Sequence, residues 1–348
     1  MENKGPNRID IVYLWVNGAD PVWSSKRQIA YSSWREQNSN ELAVYGNVEG
    51  RYRDNGEFRY NLRALETFFP EHGHVHIVTD GQCPDWLRQS NGISIVDHRD
   101  LIPSRARPVF DSGHIESYIH HIRNLSEKFF YLNDDVFFGA PVDPEYWFGQ
   151  RMAVFTESEA LPASASPQRD FTATINAAIL SRDWLSTKYP KCCHDPRPLA
   201  HAPRPFLKSA LHAFEESAAD LFRRARSTVF RTWDLPSIIS DLAPRWMVKN
   251  GLARLECSDA TSISTGAECA EGQFAALRRR FGKVPFFCIN DTCDDADRDD
   301  PRLLRVGLNL EELLPQPSSF EIISARELNG PFGRAQTADN DSMSFGYG

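Results

Sequence analysis

No stretch of the 348-residue chain approaches the roughly 18 to 20 consecutive apolar residues that cross a bilayer. The N-terminal MENKGPNRID also lacks an apolar segment of signal-peptide length. The expectation is a cytoplasmic protein with no transmembrane segment; peripheral association with the inner face of a membrane stays open. A basic surplus is missing too, since 39 Lys and Arg stand against 47 Asp and Glu, a formal net charge of −8. Non-specific nucleic-acid binding needs a basic surface to neutralise phosphates, so no nucleic-acid partner is expected. Cysteines are few: the adjacent Cys192 and Cys193 and the Cys288/Cys293 pair fit no standard zinc spacing. A chain this long needs no staples, and reduced thiols are expected. The G-x-G-x-x-G, Walker and G-x-S-x-G motifs are absent, which argues against dehydrogenases, P-loop NTPases and α/β-hydrolases. H-E-x-x-H is absent as well, which argues against a zinc protease.

What is present is an ordinary globular composition, 41% hydrophobic and 25% charged, arranged as alternating short apolar strands and helices. IDIVYLWV (9–16) reads as a strand ending in the turn cluster NGADP. A polar helical stretch runs to about residue 45. RYRDNGEFRYNLRALETFFP then carries Phe58, Leu62, Leu65 and Phe69 at helical spacing and stops at Pro70. HVHIVTDG and ISIVDHRDLIP read as the second and third strands. SGHIESYIHHIRNL reads as a helix with Ile115, Ile119 and Ile122 on one side, and KFFYLNDD as the fourth strand. This pattern predicts an α/β, Rossmann-like fold: a mostly parallel sheet flanked by helices over about 8–160, completed by a more helical part over about 161–330. Later helices are expected over about 207–226 and from near Pro236 to Gly251, and a flexible tail over 331–348. The whole of 1–330 is expected to be one catalytic domain. In such sheets ligands bind beyond the carboxyl ends of the strands, where Asn17, Asp20, Asp80 and Asn133 to Asp135 fall.

The stretch FFYLNDDVFFG sets Asp134 beside Asp135 inside an aromatic run. Two carboxylates 4 Å apart repel by about 4 kcal/mol at an effective dielectric near 20, and a divalent cation turns that cost into a site. Carboxylate and amide oxygens suit Mg²⁺ or Mn²⁺, which share their coordination with substrate phosphates. The competing reading has one Asp solvated and the other capping the next turn. Glu116 and His120, at i and i+4, are either an exposed helix pair or a catalytic one. The charge-dense RYRDNGEFRYNLR is either a solvated helix face or a helix start whose arginines hold phosphate. His201 and Arg204 share a proline-stiffened loop. Arg231 sits in an apolar segment and needs an anionic partner, from the protein or from a substrate. The acidic run 290–300 lacks the Gly and Glu positions of an EF-hand and reads as a solvated loop.

Four blocks, IDIVYLWVNGADPVW, RYRDNGEFRYNLRALETFFP through ISIVDHRDLIP, FDSGHIESYIHHIRNLSEKFFYLNDDVFFGAPV and HAPRPFLKSAL, resemble the four conserved regions of the Stealth family, in the family's order. That family contains bacterial capsular-polysaccharide hexose-1-phosphate transferases and the catalytic core of the lysosomal-enzyme N-acetylglucosamine-1-phosphotransferase. The resemblance implies a glycosyltransferase-A-like fold and transfer of sugar 1-phosphate, N-acetylglucosamine 1-phosphate in the type case, from a UDP-sugar donor to a hydroxyl of a carbohydrate acceptor. The products are a phosphodiester and UMP, with Mg²⁺ or Mn²⁺ as cofactor. A metal-dependent glycosyltransferase releasing UDP is the alternative. The resemblance implies catalytic roles for Glu116, Asp135, His201 and Arg231, with Glu116 and His201 both open as the base. It places Asn17, Asp20 and Asp80 in blocks that look like the nucleotide pocket; Arg53, Asp54, Asn55, Arg63 and Asn133 are expected at the nucleotide sugar as well, with Arg53 and Arg231 on its phosphates, and the metal is expected on Asp135 with help from Asp134. The chain lacks the long insertions of the mammalian relatives, so a bacterial-type enzyme of capsule or exopolysaccharide synthesis is the better fit.

Overall fold

The computed structural model describes residues 8–38, 41–257, 259–297 and 299–322; the tail expected from 331 lies outside them. In chain order the elements are β1 (Ile9–Leu14), α1 (Pro21–Asn38), α2 (Glu57–Phe68), β2 (Val75–Thr79), β3 (Ile93–Asp97), α3 (His98–Leu101), α4 (Ser112–Glu116), β4 (Lys128–Asn133), β5 (Val136–Phe138), α5 (Pro144–Phe148) and β6 (Met152–Thr156). They continue with α6 (Ala173–Lys188), β7 (Arg204–Leu207), α7 (Lys208–Ser217), α8 (Ala219–Ala225), α9 (Ala243–Lys249), β8 (Ala253–Cys257), β9 (Thr261–Ser264), α10 (Ala270–Arg280), β10 (Phe286–Asn290) and α11 (Pro301–Leu313). None of the described helices is long and apolar enough to cross a membrane, and all seven cysteines are free thiols.

The central sheet has the order β3-β2-β1-β4-β7, parallel except for the antiparallel edge strand β7. Its inner strands are buried on both faces, hence the nearly unbroken apolar runs of β1, β2 and β4. Pro205 is tolerated in β7 because an edge strand needs only half of its backbone hydrogen bonds. The chain leaves β1 toward β2 on one side and reaches β4 on the other, so the order reverses between β1 and β4. That reversal opens a crevice at their carboxyl ends.

Two aromatic clusters hold the layers together. Phe130 meets Phe148, Trp147 and Phe138 edge to face, and Phe137 stacks on Phe287 with ring centres 4.7 Å apart. Such pairs add about 0.5 to 1.5 kcal/mol beyond the area they bury. A second cluster of Trp23, Tyr52, Phe110 and Phe230 ties α1 to the segment carrying Arg231.

Beyond residue 150 the chain carries more strand than the sequence pattern predicts, because β6 to β10 are short and lie among prolines and polar loops. Strands β5, β10 and β9 make a second small sheet, and β6 pairs with β8. The helix expected through SGHIESYIHHIRNL breaks after Glu116 and resumes only as a 3₁₀ turn at Ile119–His121. The Arg226 guanidinium takes the Ser117 carbonyl at 2.6 Å and its hydroxyl at 3.0 Å, capturing an acceptor that a continuing helix needs. The helix expected from Pro236 starts instead as a π-turn, Ile238–Leu242, before α9. Pro244 has no N–H for the Ser240 carbonyl, which accepts from Arg204 Nε at 2.9 Å. The stretch 207–226 divides at Ala218 into α7 and α8.

Candidate active site

The segment FFYLNDDVFFG passes from the central sheet to the second sheet, and Asn133 to Asp135 occupy the tight connection between β4 and β5. Asn61 of α2 holds this turn. Its amide donates to the Asp134 carbonyl at 3.0 Å and the Val136 carbonyl at 2.7 Å, and its Oδ1 accepts from the Tyr13 hydroxyl at 2.8 Å. The Asp135 carbonyl accepts from the Ile289 N–H. Both carboxylates therefore project from a backbone fixed on two sides.

Carboxyl groups crowd this corner. Asp134 is held well above the usual carboxylate range by burial and by the charges of Asp135, Glu57 and Asp54. Burial, reinforced by Asp54, pushes Glu57 up to about 8, although Asn55 hydrogen-bonds it. Asp54 is raised by burial against donors from Gly56 N–H and Trp15 Nε1. Asp135 Oδ1 is buried and has no hydrogen-bond partner. His201 Nε2 lies 3.6 Å from it, and Cys288 Sγ lies 3.5 Å from Oδ2 and 3.6 Å from His201 Nδ1. One ligand atom from each of Asp135, His201 and Cys288 lies within 4.8 Å of the others. Burial first, then Asp135, pushes the Cys288 thiol well up.

Beside this acidic corner lies a basic one, with Glu116 between them. Glu116 is 2% exposed and accepts from Ser240 Oγ at 2.6 Å. Its charge opposes the lowering that burial imposes on both Arg204 and Arg231, and it raises the buried Tyr131 further. Arg204 also feels Asp135, which links the two corners. Arg231 donates from Nη2 to Ser112 Oγ at 2.5 Å, with Nε 3.8 Å from Asp111. After burial, its largest perturbation is the like charge of Arg51, whose own Nε is buried without a partner. Arg231 faces a small solvent-open cleft bordered by Asp111, Asn176 and Ser237. Asp111 caps α4 and accepts from Thr228 Oγ1 at 2.7 Å, so it is anchored independently of Arg231.

The other residues expected at the nucleotide sugar divide into two groups. Asp54 and Asn133 lie at the acidic corner, the first by its charge on Asp134 and the second one residue before it. Asn17 and Asp20 shape the loop after β1: Asn17 exchanges two hydrogen bonds with the Gln82 side chain, and Asp20 caps α1 through the N–H groups of Val22 and Trp23. Asp80 pairs with Lys26 at 2.5 Å. Arg53 is bound by protein, to Asp291 at 2.8 Å and to the carbonyls of Cys293 and Ala296, and Asn55 also reaches Asp291 at 3.2 Å. The expectation of a wholly solvated 290–300 loop is corrected here, because Asp291 is 6% exposed and clasped by Arg53. Arg63 departs furthest. It is buried 2.8 Å from Glu321 and 3.1 Å from Glu311, joining α2 to the last described segment rather than facing the strand ends. Glu116 and His120, four apart, face different partners. Cys288, Asn61, Glu57 and Arg51 were not among the residues expected at the site; Arg51 and Glu57 carried only the charge density of their segment as a signal, and Cys288 only a pairing with Cys293 that fits no zinc spacing.

Residues 51–155 match the family model described as Stealth protein CR2, conserved region 2, and residues 7–30 the one described as Stealth protein CR1, conserved region 1. Glu116 and Asp135 fall inside the first range; His201 and Arg231 fall outside both. An exopolysaccharide phosphotransferase of Streptomyces coelicolor is 34% identical over 322 residues, covering 90% of this chain and 52% of that protein. A capsular polysaccharide phosphotransferase of Haemophilus influenzae is 30% identical over 293 residues, covering 82% and 79% respectively. The chain thus spans about half of the first relative and most of the second. Among solved structures, a galactosyltransferase complexed with donor and acceptor sugar analogues aligns with a TM-score of 0.41 at 10% identity, over 91% of this chain and 98% of that one.

Proposed function

The chain belongs to the Stealth family, and from that membership we propose that it transfers sugar 1-phosphate from a UDP-sugar, N-acetylglucosamine in the first instance, to a hydroxyl of a bacterial surface glycan. The acceptor oxygen forms a bond to the sugar-bearing phosphorus as the bridging P–O bond breaks. UMP leaves and the anomeric C–O bond stays intact. The observation that carries this reading is the meeting of an unpartnered carboxylate oxygen, Asp135 Oδ1, with a facing basic corner at the strand-order reversal. Phosphoryl transfer is mainly positioning plus charge neutralisation, and both are within reach of these residues.

The acidic corner fits a divalent cation, because Asp135 Oδ1 lacks a partner and Asp134 is crowded by like charges. Asp134 and Asp135 would hold Mg²⁺ or Mn²⁺, which when bound neutralises the donor's pyrophosphate. Cys288, a raised and therefore neutral thiol, borders the site without suiting so hard a cation. Arg231 and Arg51 repel each other and welcome a phosphate between them, Arg231 offering the donors not used by Ser112. Arg53, held by Asp291, supports the wall of the site instead. His201 is 42% exposed and can reach an incoming hydroxyl, so its imidazole takes the acceptor proton. Glu116, buried with its charge acting on both Arg204 and Arg231, offsets the burial of their guanidinium groups.

The by-product separates this reading from glycosyl transfer on the same donor. With Mg²⁺, a panel of UDP-sugars and glycan acceptors, UMP and a phosphodiester-linked product are expected. UDP release with loss of the phosphate from the product would overturn the proposal in favour of a glycosyltransferase.

A further inference from the structure

A second cluster of ligating side chains lies apart from the acidic corner. His120 and His121 occupy the 3₁₀ turn that replaces the expected helix, and His212 and Glu215 stand three apart on one face of α7. One ligand atom from each of these four residues lies within 4.8 Å of every other. The rings pack directly, with centroids 4.3 Å apart for His120 and His121, 4.8 Å for His120 and His212, and 5.0 Å for His121 and His212.

Part of this arrangement is explained by hydrogen bonding. Glu215 Oε2 lies 2.6 Å from His120 Nε2 and 2.7 Å from His121 Nε2, while Oε1 pairs with Arg226. That hub leaves two features without a cause. His120 is fully buried, yet its Nδ1 has no partner. His212 is drawn against both other rings although no described residue hydrogen-bonds it. A cation accounts for the convergence of the three rings on Glu215, since imidazole nitrogens are lone-pair donors whose convergence otherwise has little to recommend it.

We propose that His120, His121, His212 and Glu215 form a binding site for a late first-row divalent cation, Zn²⁺ in the first instance, separate from the catalytic cation. Three imidazoles and one carboxylate suit Zn²⁺ and disfavour Mg²⁺, which prefers an all-oxygen shell. Four protein ligands close the coordination sphere, the arrangement of a structural site rather than a catalytic one. The ion joins the turn following α4 to α7. Because Glu116 ends α4 only four residues before His120, the ion also braces the backbone that presents Glu116.

The test uses the full chain carrying D135N and C288S, which removes the rival ligand set around His201. After equilibration with Zn²⁺ and desalting, elemental analysis should find one zinc per chain. Addition of H121A and H212A should abolish it, and Co²⁺ in place of zinc should give visible bands that vanish with the same pair. His121 is 40% exposed, so H121A alone keeps the fold and should weaken Zn²⁺ binding by about tenfold or more. Zinc content that is absent from the D135N/C288S chain, or unchanged by H121A and H212A, would overturn the site.

Discussion

Asp135 is placed where its own carboxylate is unfavourable to the isolated chain: one oxygen is buried without a donor, and Asp134 stands next to it. Removing the charge should therefore separate stability from activity. Asp135→Asn is expected to lower turnover by two or more orders of magnitude, and to raise the stability of the metal-free chain by on the order of 1 kcal/mol through lost repulsion. Thermal melts with and without Mg²⁺, beside single-turnover rates, check both halves; a destabilised variant would contradict this account of the acidic corner. Asp10 is the opposite case. It is 1% exposed, and burial alone would raise its pKa, but donors from His76, Ser126 and His74 outweigh burial and hold it well below its ordinary 3.8. A depressed carboxylate contributes stability that is fully present above its unfolded value and is lost as pH falls through the folded one. Asp10→Asn should thus cost about 2 kcal/mol at pH 7 and flatten the loss of stability below pH 4, read by denaturant titration across pH.

At the scale of elements, α2 does two jobs with opposite faces. Its Asn61 fixes the turn that presents Asp134 and Asp135, and its Arg63 reaches Glu321 and Glu311 at the far end of the described chain. Glu321 is fully buried and also receives Arg59. Arg63→Ala should cost about 3 kcal/mol, because it leaves a buried carboxylate with one cation fewer. Joint replacement by R63M and E321Q should cost less than R63A alone, which urea unfolding of the variants will read. Helix breaks serve the site in a related way. Arg226 stops α4 just after Glu116, and the unpaired carbonyl preceding Pro244 gives Arg204 its anchor. Both guanidinium bonds come from residues more than 35 positions distant in the chain.

Across the whole molecule, the strand order turns scattered polar clusters into one crevice. The parallel core was legible because β1, β2 and β4 are apolar runs buried on both faces and closed by turns, with the half-buried edge strand β3 beside them. The Asp pair at the end of β4 was legible for the same reason: acids interrupting an aromatic run require an explanation that a surface loop does not. Residues 8–160 therefore announced their elements and their polar strand ends locally, through periodicity and punctuation. Other facts had no local signature. Cys288 meets Asp135 only because β10 pairs with β5, Arg53 is clasped by Asp291 from 238 residues away, and Arg63 is a core ion pair despite a surface-like pattern. By itself the sequence determined the fold class, the family and the chemical character of the strand ends, since these depend on residue type and spacing. Only the tertiary structure decided which charges face one another, because the partners of a buried charge are chosen by packing between distant segments and by the desolvation that packing imposes.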